Sequence, residues 1–226
     1  MLIGILQTGL APEALSEELG DYPDLFAQLL EGNGFTFRSF RVVDGVFPTT
    51  VRDCDGWLIT GSRHGAYENH PWIAPLEQFI RDSFAAHVPM VGVCFGHQII
   101  AQAMGGKVEL YAGGWAVGAT DYDFDGETVT LNAWHRDQVT QVPKGAKVIA
   151  SNDFCANAVL LYEGHALTMQ PHPEFRPEFV DGLIRTRGKG VVPDDLMATA
   201  TARLTEPLQN RTMANQIAAF FKEPRA

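Results

Sequence analysis

Short continuous apolar runs, long enough for a strand and too short for a helix, recur through the first hundred residues of the chain. Residues 2–7, 57–60 and 88–93 are of this kind and predict strands buried on both faces, while 35–43 alternates apolar and polar positions and predicts another strand. Stretches with a helical period lie between them. Leu25, Phe26, Leu29 and Leu30 share one face of a helix that starts near Tyr22 and is stopped by Gly32-Asn33-Gly34, where positive φ is tolerated. Ile73, Leu76, Phe79 and Ile80 mark a second helix, with Pro71 at its start. Strand and helix alternating over short connections predict a mainly parallel, doubly wound sheet, because parallel strands need crossovers and crossovers are usually helices.

The pattern changes in the second half. Residues 115–122, 128–133, 147–151, 158–162 and 165–169 read as short strands divided by turn-like pieces such as Asp125-Gly126 and Glu163-Gly164, and are expected as antiparallel additions to the sheet. After Pro177 the helical period returns, first with Phe179, Leu183 and Ile184, then with Met213, Ile217, Phe220 and Phe221. No internal repeat or low-complexity linker interrupts the chain. The expected architecture is a flavodoxin-like α/β fold over a single domain, 1–226, with 187–226 as a helical C-terminal extension.

Composition narrows the function. A hydrophobic fraction of 46% with 14 Phe and 19% charged residues is that of a chain able to bury a core. The formal net charge of −10 offers no broad attraction to phosphate backbones or anionic lipid, so neither nucleic acid nor membrane is an expected partner. There is no eighteen-residue apolar run, and the apolar start lacks a basic region before it or a cleavage signal after it; a soluble, cytoplasmic protein is expected. Three scattered cysteines do not suggest a disulfide framework, and the seven histidines show no recognised ligand spacing, so no metal is expected. A GxxxxGK[ST] phosphate loop is absent, and no cofactor is expected.

The chemistry concentrates in two places. Around Gly92-Val93-Cys94-Phe95-Gly96 a buried strand passes into a helix with cysteine at the junction, and the flanking glycines have the spacing of a nucleophile elbow. There a thiol feels the positive end of the helix dipole, and the N–H of Phe95, with one from the Gly61-Ser62 loop, can hold an oxyanion. A lone buried cysteine is commonly a small hydrophobe; the glycine frame turns the reading toward a nucleophile. The second place is Gln170-Pro171-His172-Pro173-Glu174, where prolines restrict a loop carrying a candidate base and a carboxylate to orient it. Without Cys94 this would read as a proline-stiffened turn.

Gly-Val-Cys-Phe-Gly-His-Gln followed some eighty residues later by Pro-His-Pro-Glu resembles the class I glutamine amidotransferase family. The likeness extends to Thr60-Gly61-Ser62, to Ala66-Tyr67-Glu68-Asn69 with Pro71-Trp72-Ile73, to Gly105-Gly106 and to Trp134-His135-Arg136-Asp137, and resembles stand-alone GMP-synthetase-like amidotransferase domains. By that resemblance Cys94, His172 and Glu174 form a catalytic triad working through a γ-glutamyl thioester. Gly61 and Phe95 supply the oxyanion N–H groups, and Gln98, Trp134 and His135 hold the amino-acid end of the substrate. His97 is expected to pack beneath the elbow. The oxyanion loop departs from the family's Gly-Gly-Pro form, and Arg136 replaces a position often small; it reads as a solvated arginine.

With no ATP-binding domain following, three readings remain. The chain is a glutaminase passing ammonia to a synthetase partner in trans, a peptidase acting on γ-glutamyl peptides or conjugates, or a noncatalytic or redox-sensing flavodoxin-like module.

Overall fold

The computed structural model describes residues 1–224. The central sheet has seven strands. Five are parallel: β1 (Leu2–Leu6), β2 (Thr36–Phe40), β3 (Gly56–Ile59), β4 (Met90–Val93) and β11 (Ala166–Met169). Two more, β9 (Ala146–Ala150) and β10 (Val159–Tyr162), continue it antiparallel, giving the order β2-β1-β3-β4-β11-β10-β9. This is the flavodoxin-like arrangement, in which ligand sites gather at the carboxyl ends of the parallel strands.

The alternation of side chains along the strands divides the core. Ile3, Ile5, Leu58, Val91 and Val93 face one side, where α2 (Tyr22–Leu29) and α7 (Asn210–Lys222) bring Phe26, Met213, Ile217 and Phe221. Leu6, Trp57, Ile59 and Met90 face the other, beneath α3 (Ile73–Ala85) and α4 (Phe95–Ala103), which bring Leu76, Ile80, Phe95 and Ile99. Each such buried side chain contributes about 1.5–3 kcal/mol. Gly4 is required on this second side, since a Cβ there would lie 2.0 Å from the Trp57 ring.

Remaining helices form a third cluster. α1 (Glu13–Leu19), α2 and α5 (Pro177–Leu183) enclose Leu15, Tyr22, Leu25, Phe175, Phe179 and Leu183. A π-helical turn, Ile184–Gly188, and α6 (Asp194–Ala202) follow α5. Among the described residues no helix is long and apolar enough to cross a membrane.

Several expectations are corrected. β11 is parallel to β4 instead of an antiparallel addition, with Met169 opposite Val93. β6 (Ala116–Phe124) and β7 (Glu127–His135) do not join the central sheet; they form their own hairpin, closed by Asp125 and Gly126 at φ 51° and 95°. β5 (Lys107–Leu110) and β8 (Asp137–Gln141), not anticipated, make a second antiparallel pair. Neither shows a clean alternation, because each is short and exposed over part of its length. α1 was also unanticipated, having one buried residue, Leu15, and hence no apolar stripe to read. The strand expected over 35–43 stops at Phe40, since the chain turns into a 3₁₀ segment at Val42–Asp44 that ends on Gly45 at φ 80°.

Candidate active site

Cys94 stands between β4 and α4 with φ 54° and ψ −104°. A non-glycine residue with this backbone costs of order 1–3 kcal/mol and persists only where its surroundings enforce it. Two glycines do so. A Cβ on Gly92 would lie 2.5 Å from the Gly96 carbonyl oxygen, and one on Gly96 would lie 2.3 Å from that of Ile59, so strand and helix touch backbone to backbone. The Cys94 N–H donates to the Met169 carbonyl at 2.8 Å, fixing the elbow to the end of β11. At the start of α4 the N–H of Phe95 belongs to the first helical turn, whose donors lack intrahelical partners.

The continuation of β11 brings the second motif alongside. His172 donates its backbone N–H to the Asn132 carbonyl at 2.8 Å, and its Nδ1 lies 2.7 Å from Glu174 Oε1, with the two side chains 4% and 1% exposed. The ring stacks on Phe175 at 3.9 Å and 3°. Burial works against the imidazolium, but the Glu174 carboxylate and the Cys94 sulfur, which is also a hydrogen-bond partner of the ring, together raise the pKa to about 10. The Nδ1–Glu174 pairing leaves Nε2 as the nitrogen available to sulfur.

Gly61 completes the convergence. A methyl group there would come 3.1 Å from His172 Cε1 and 3.8 Å from Cys94 Cβ. Its backbone is set by Thr8, whose hydroxyl donates to the Thr60 carbonyl at 2.9 Å. Because the peptide is planar and trans, the Gly61 N–H points away from Thr8. Three segments distant in sequence therefore meet around one sulfur. Away from this site, burial pushes the Cys155 thiol up to about 12 and raises that of Cys54 as well.

The residues expected to hold substrate divide. Gln98 is buried and its amide nitrogen is taken, donating to the Asp137 carbonyl at 2.9 Å and to Gln170 Oε1 at 3.0 Å. Trp134 is half-buried, paired with the Trp115 ring at 6.4 Å and packed against the α5 cluster. His135 is buried, with Nδ1 3.3 Å from the Asp137 carbonyl and Nε2 without a hydrogen-bonding partner among the described residues. Burial, with the nearby His172 charge, pushes its pKa down to about 3. His97 lies under the elbow with Nδ1 2.8 Å from Thr168 Oγ1, and burial holds it at about 3. Arg136 is exposed.

Sequence reasoning missed the supports beneath the imidazole. Asn132 Nδ2 and Asn210 Nδ2 both donate to the Phe175 carbonyl, at 3.0 and 3.1 Å, and so hold the ring on which His172 rests. Asn132 carries no signal of its own inside an alternating strand; Asn210 belongs to the C-terminal extension, far from either motif. A second omission is the constellation His64, Glu68 and His70, whose ligand atoms all lie within 4.8 Å of one another.

A parallel sheet with a strained cysteine at one strand end, faced by an imidazole on a buried carboxylate, defines an α/β protein of the elbow-thiol class. The chain matches the glutamine amidotransferase class-I family over residues 46–184, and it belongs to that family. It is 28% identical to a glutamine amidotransferase-like protein of Schizosaccharomyces pombe, over 98% of each chain. It is 29% identical to γ-glutamyl peptidase 4 of Arabidopsis thaliana, over 92% of this chain and 90% of the relative. A crystal structure of a glutamine amidotransferase from Methylobacillus flagellatus shares the fold, with a TM-score of 0.77, 23% identity, and coverage of 97% and 91%.

Proposed function

We propose that the protein hydrolyses the γ-amide bond of γ-glutamyl peptides or conjugates, with Cys94, His172 and Glu174 as a catalytic triad. The observation that carries this reading is the buried His172–Glu174 pair, 2.7 Å apart, set against the sulfur of the elbow. In that arrangement the Cys94 sulfur attacks the γ-carbonyl carbon, and the carbonyl oxygen becomes an oxyanion held by the N–H groups of Phe95 and Gly61. The imidazolium gives its Nε2 proton to the departing amine, the C–N bond breaks, and a γ-glutamyl thioester remains. The neutral imidazole then takes a proton from water, the hydroxide adds to the thioester, and glutamate leaves as the sulfur recovers its electron pair. Glu174 keeps Nδ1 protonated throughout, so Nε2 is always the exchanging atom.

The peptide reading is preferred here because a relative named γ-glutamyl peptidase 4 matches 92% of this chain. The second reading, a glutaminase that hands ammonia to a synthetase in trans, uses the same triad and rests on family membership. Glutamate release from a panel of γ-glutamyl dipeptides and from glutamine, with Cys94→Ser as the blank, separates them. Faster turnover of dipeptides supports the peptidase; release confined to glutamine favours the glutaminase, and equal rates in the blank refute both.

A further inference from the structure

We propose that His64, Glu68 and His70 form a binding site for a divalent, nitrogen-preferring cation such as Zn²⁺ on the loop that follows Gly61. Two imidazole nitrogens and one carboxylate oxygen are a donor set used for zinc, and hard ions such as Mg²⁺ prefer oxygen alone. Spacing supports it. Donors bound at about 2.0–2.1 Å in a tetrahedral shell stand roughly 3.3 Å apart, and His64 Nδ1 lies 3.4 Å from Glu68 Oε2. His70 Nε2 is 2.6 Å from that oxygen, hydrogen-bonded to it, so this pair has to open by a fraction of an ångström and His70 has to carry its proton on Nδ1.

The backbone that carries the donors is pinned before any ion arrives. The His64 N–H donates to Ser62 Oγ at 3.2 Å, the Glu68 N–H to the Gly65 carbonyl at 3.0 Å, and the Ile73 N–H to the His70 carbonyl at 3.1 Å. The His70 ring stacks on Trp72 at 5.8 Å and 9°, and the rings of His64 and His70 meet at 4.2 Å. Side-chain exposures of 20%, 42% and 32% for His64, Glu68 and His70 leave a route for an ion and a coordination position for water. Trp72 packs in turn on Phe95 at 5.4 Å. A bound ion would thus fasten the loop at both ends of the oxyanion site, through Gly61 along the chain and through Phe95 by ring contact.

The cysteine–histidine pair of the active site could also capture zinc, so the test removes it. Full-length Cys94→Ser protein is titrated with Zn²⁺ by calorimetry and with Co²⁺ by visible absorption, alone and with His64→Gln, His70→Gln or Glu68→Gln added. The expected result is uptake of one equivalent with nitrogen and oxygen ligand-field bands, indifference to excess Mg²⁺, and at least about tenfold weaker binding in each added variant. Circular dichroism identical to the parent shows that the variants are folded; a misfolded variant is set aside and the other two decide. No uptake by Cys94→Ser, or uptake that these substitutions leave unchanged, overturns the site and leaves a hydrogen-bonded cluster only. The outcome is independent of amide hydrolysis.

Discussion

Met169 stands opposite Val93 in parallel register, and this one pairing brings the two motifs together. One residue beyond Val93 is the strained Cys94; three beyond Met169 is His172. Because strands in a sheet lie about 4.8 Å apart, residues just past two paired ends are neighbours whatever their separation in sequence. The chain between Cys94 and His172 builds the β5–β8 and β6–β7 pairs and then returns to the sheet.

The Glu174 carboxylate is expected to act by fixing the imidazole. Glu174→Gln should lower kcat/KM by roughly 10²–10⁴-fold with KM nearly unchanged, the scale seen when an orienting carboxylate is replaced by its amide. Steady-state kinetics on the preferred γ-glutamyl substrate check it; a loss under about tenfold would remove Glu174 from the triad.

The histidines should divide sharply by charge. Side-chain ¹⁵N NMR at about pH 8 is expected to show His172 as imidazolium, from its pKa of about 10, with His97 and His135, both near 3, neutral. For His172 the folded value is raised above 6.5, so its contribution to stability is complete below pH 6.5 and fades as pH climbs toward about 10. A neutral His172 at pH 8 contradicts this.

The two lowered histidines act in the opposite direction. Both are neutral when folded and take up protons when unfolded, so stability falls as pH drops from 6.5 toward about 3. Each contributes up to about 1.4 kcal/mol per pH unit. Denaturant unfolding between pH 7 and 5 should show a shallower loss in His97→Asn than in the parent; identical slopes would exclude His97 as a source.

Much of this was legible in the sequence and part was not. The elbow could be read because backbone contact at Gly92 and Gly96 leaves no room for a side chain, so its chemistry is written as glycine. The parallel strands could be read because burial on both faces demands apolar runs, as in β3 and β4. β11 has the same signature, yet its direction depends on the route of the preceding chain, which composition does not record. Asn132 and Asn210 escaped notice because their task, holding the Phe175 carbonyl, exists only in three dimensions.

That task is itself testable. Asn210→Ala removes one hydrogen bond to the Phe175 carbonyl and is expected to cost about 1 kcal/mol of stability. It should also slow turnover several-fold by loosening the ring under His172, while leaving KM in place. Unaltered turnover in a measurably destabilised variant would confine Asn210 to packing.

At the elbow, Gly96→Ala sets a methyl carbon 2.3 Å from the Ile59 carbonyl oxygen. Relief requires α4 to move off β3, so a loss at or above the 1–3 kcal/mol of ordinary overpacking is expected, about 3 kcal/mol, along with activity. Thermal unfolding measures it, and parent-like stability would mean the helix is free to shift.

The central claim is that the Cys94 sulfur carries the substrate's γ-glutamyl group between two half-reactions. Acid quenching during turnover of a γ-glutamyl dipeptide, followed by proteolysis and mass spectrometry, tests it directly. The account predicts a mass gain of one glutamyl group on the peptide containing Cys94, removable by hydroxylamine and absent in Cys94→Ser. Turnover without any adduct on that peptide, and undiminished in Cys94→Ser, would contradict it.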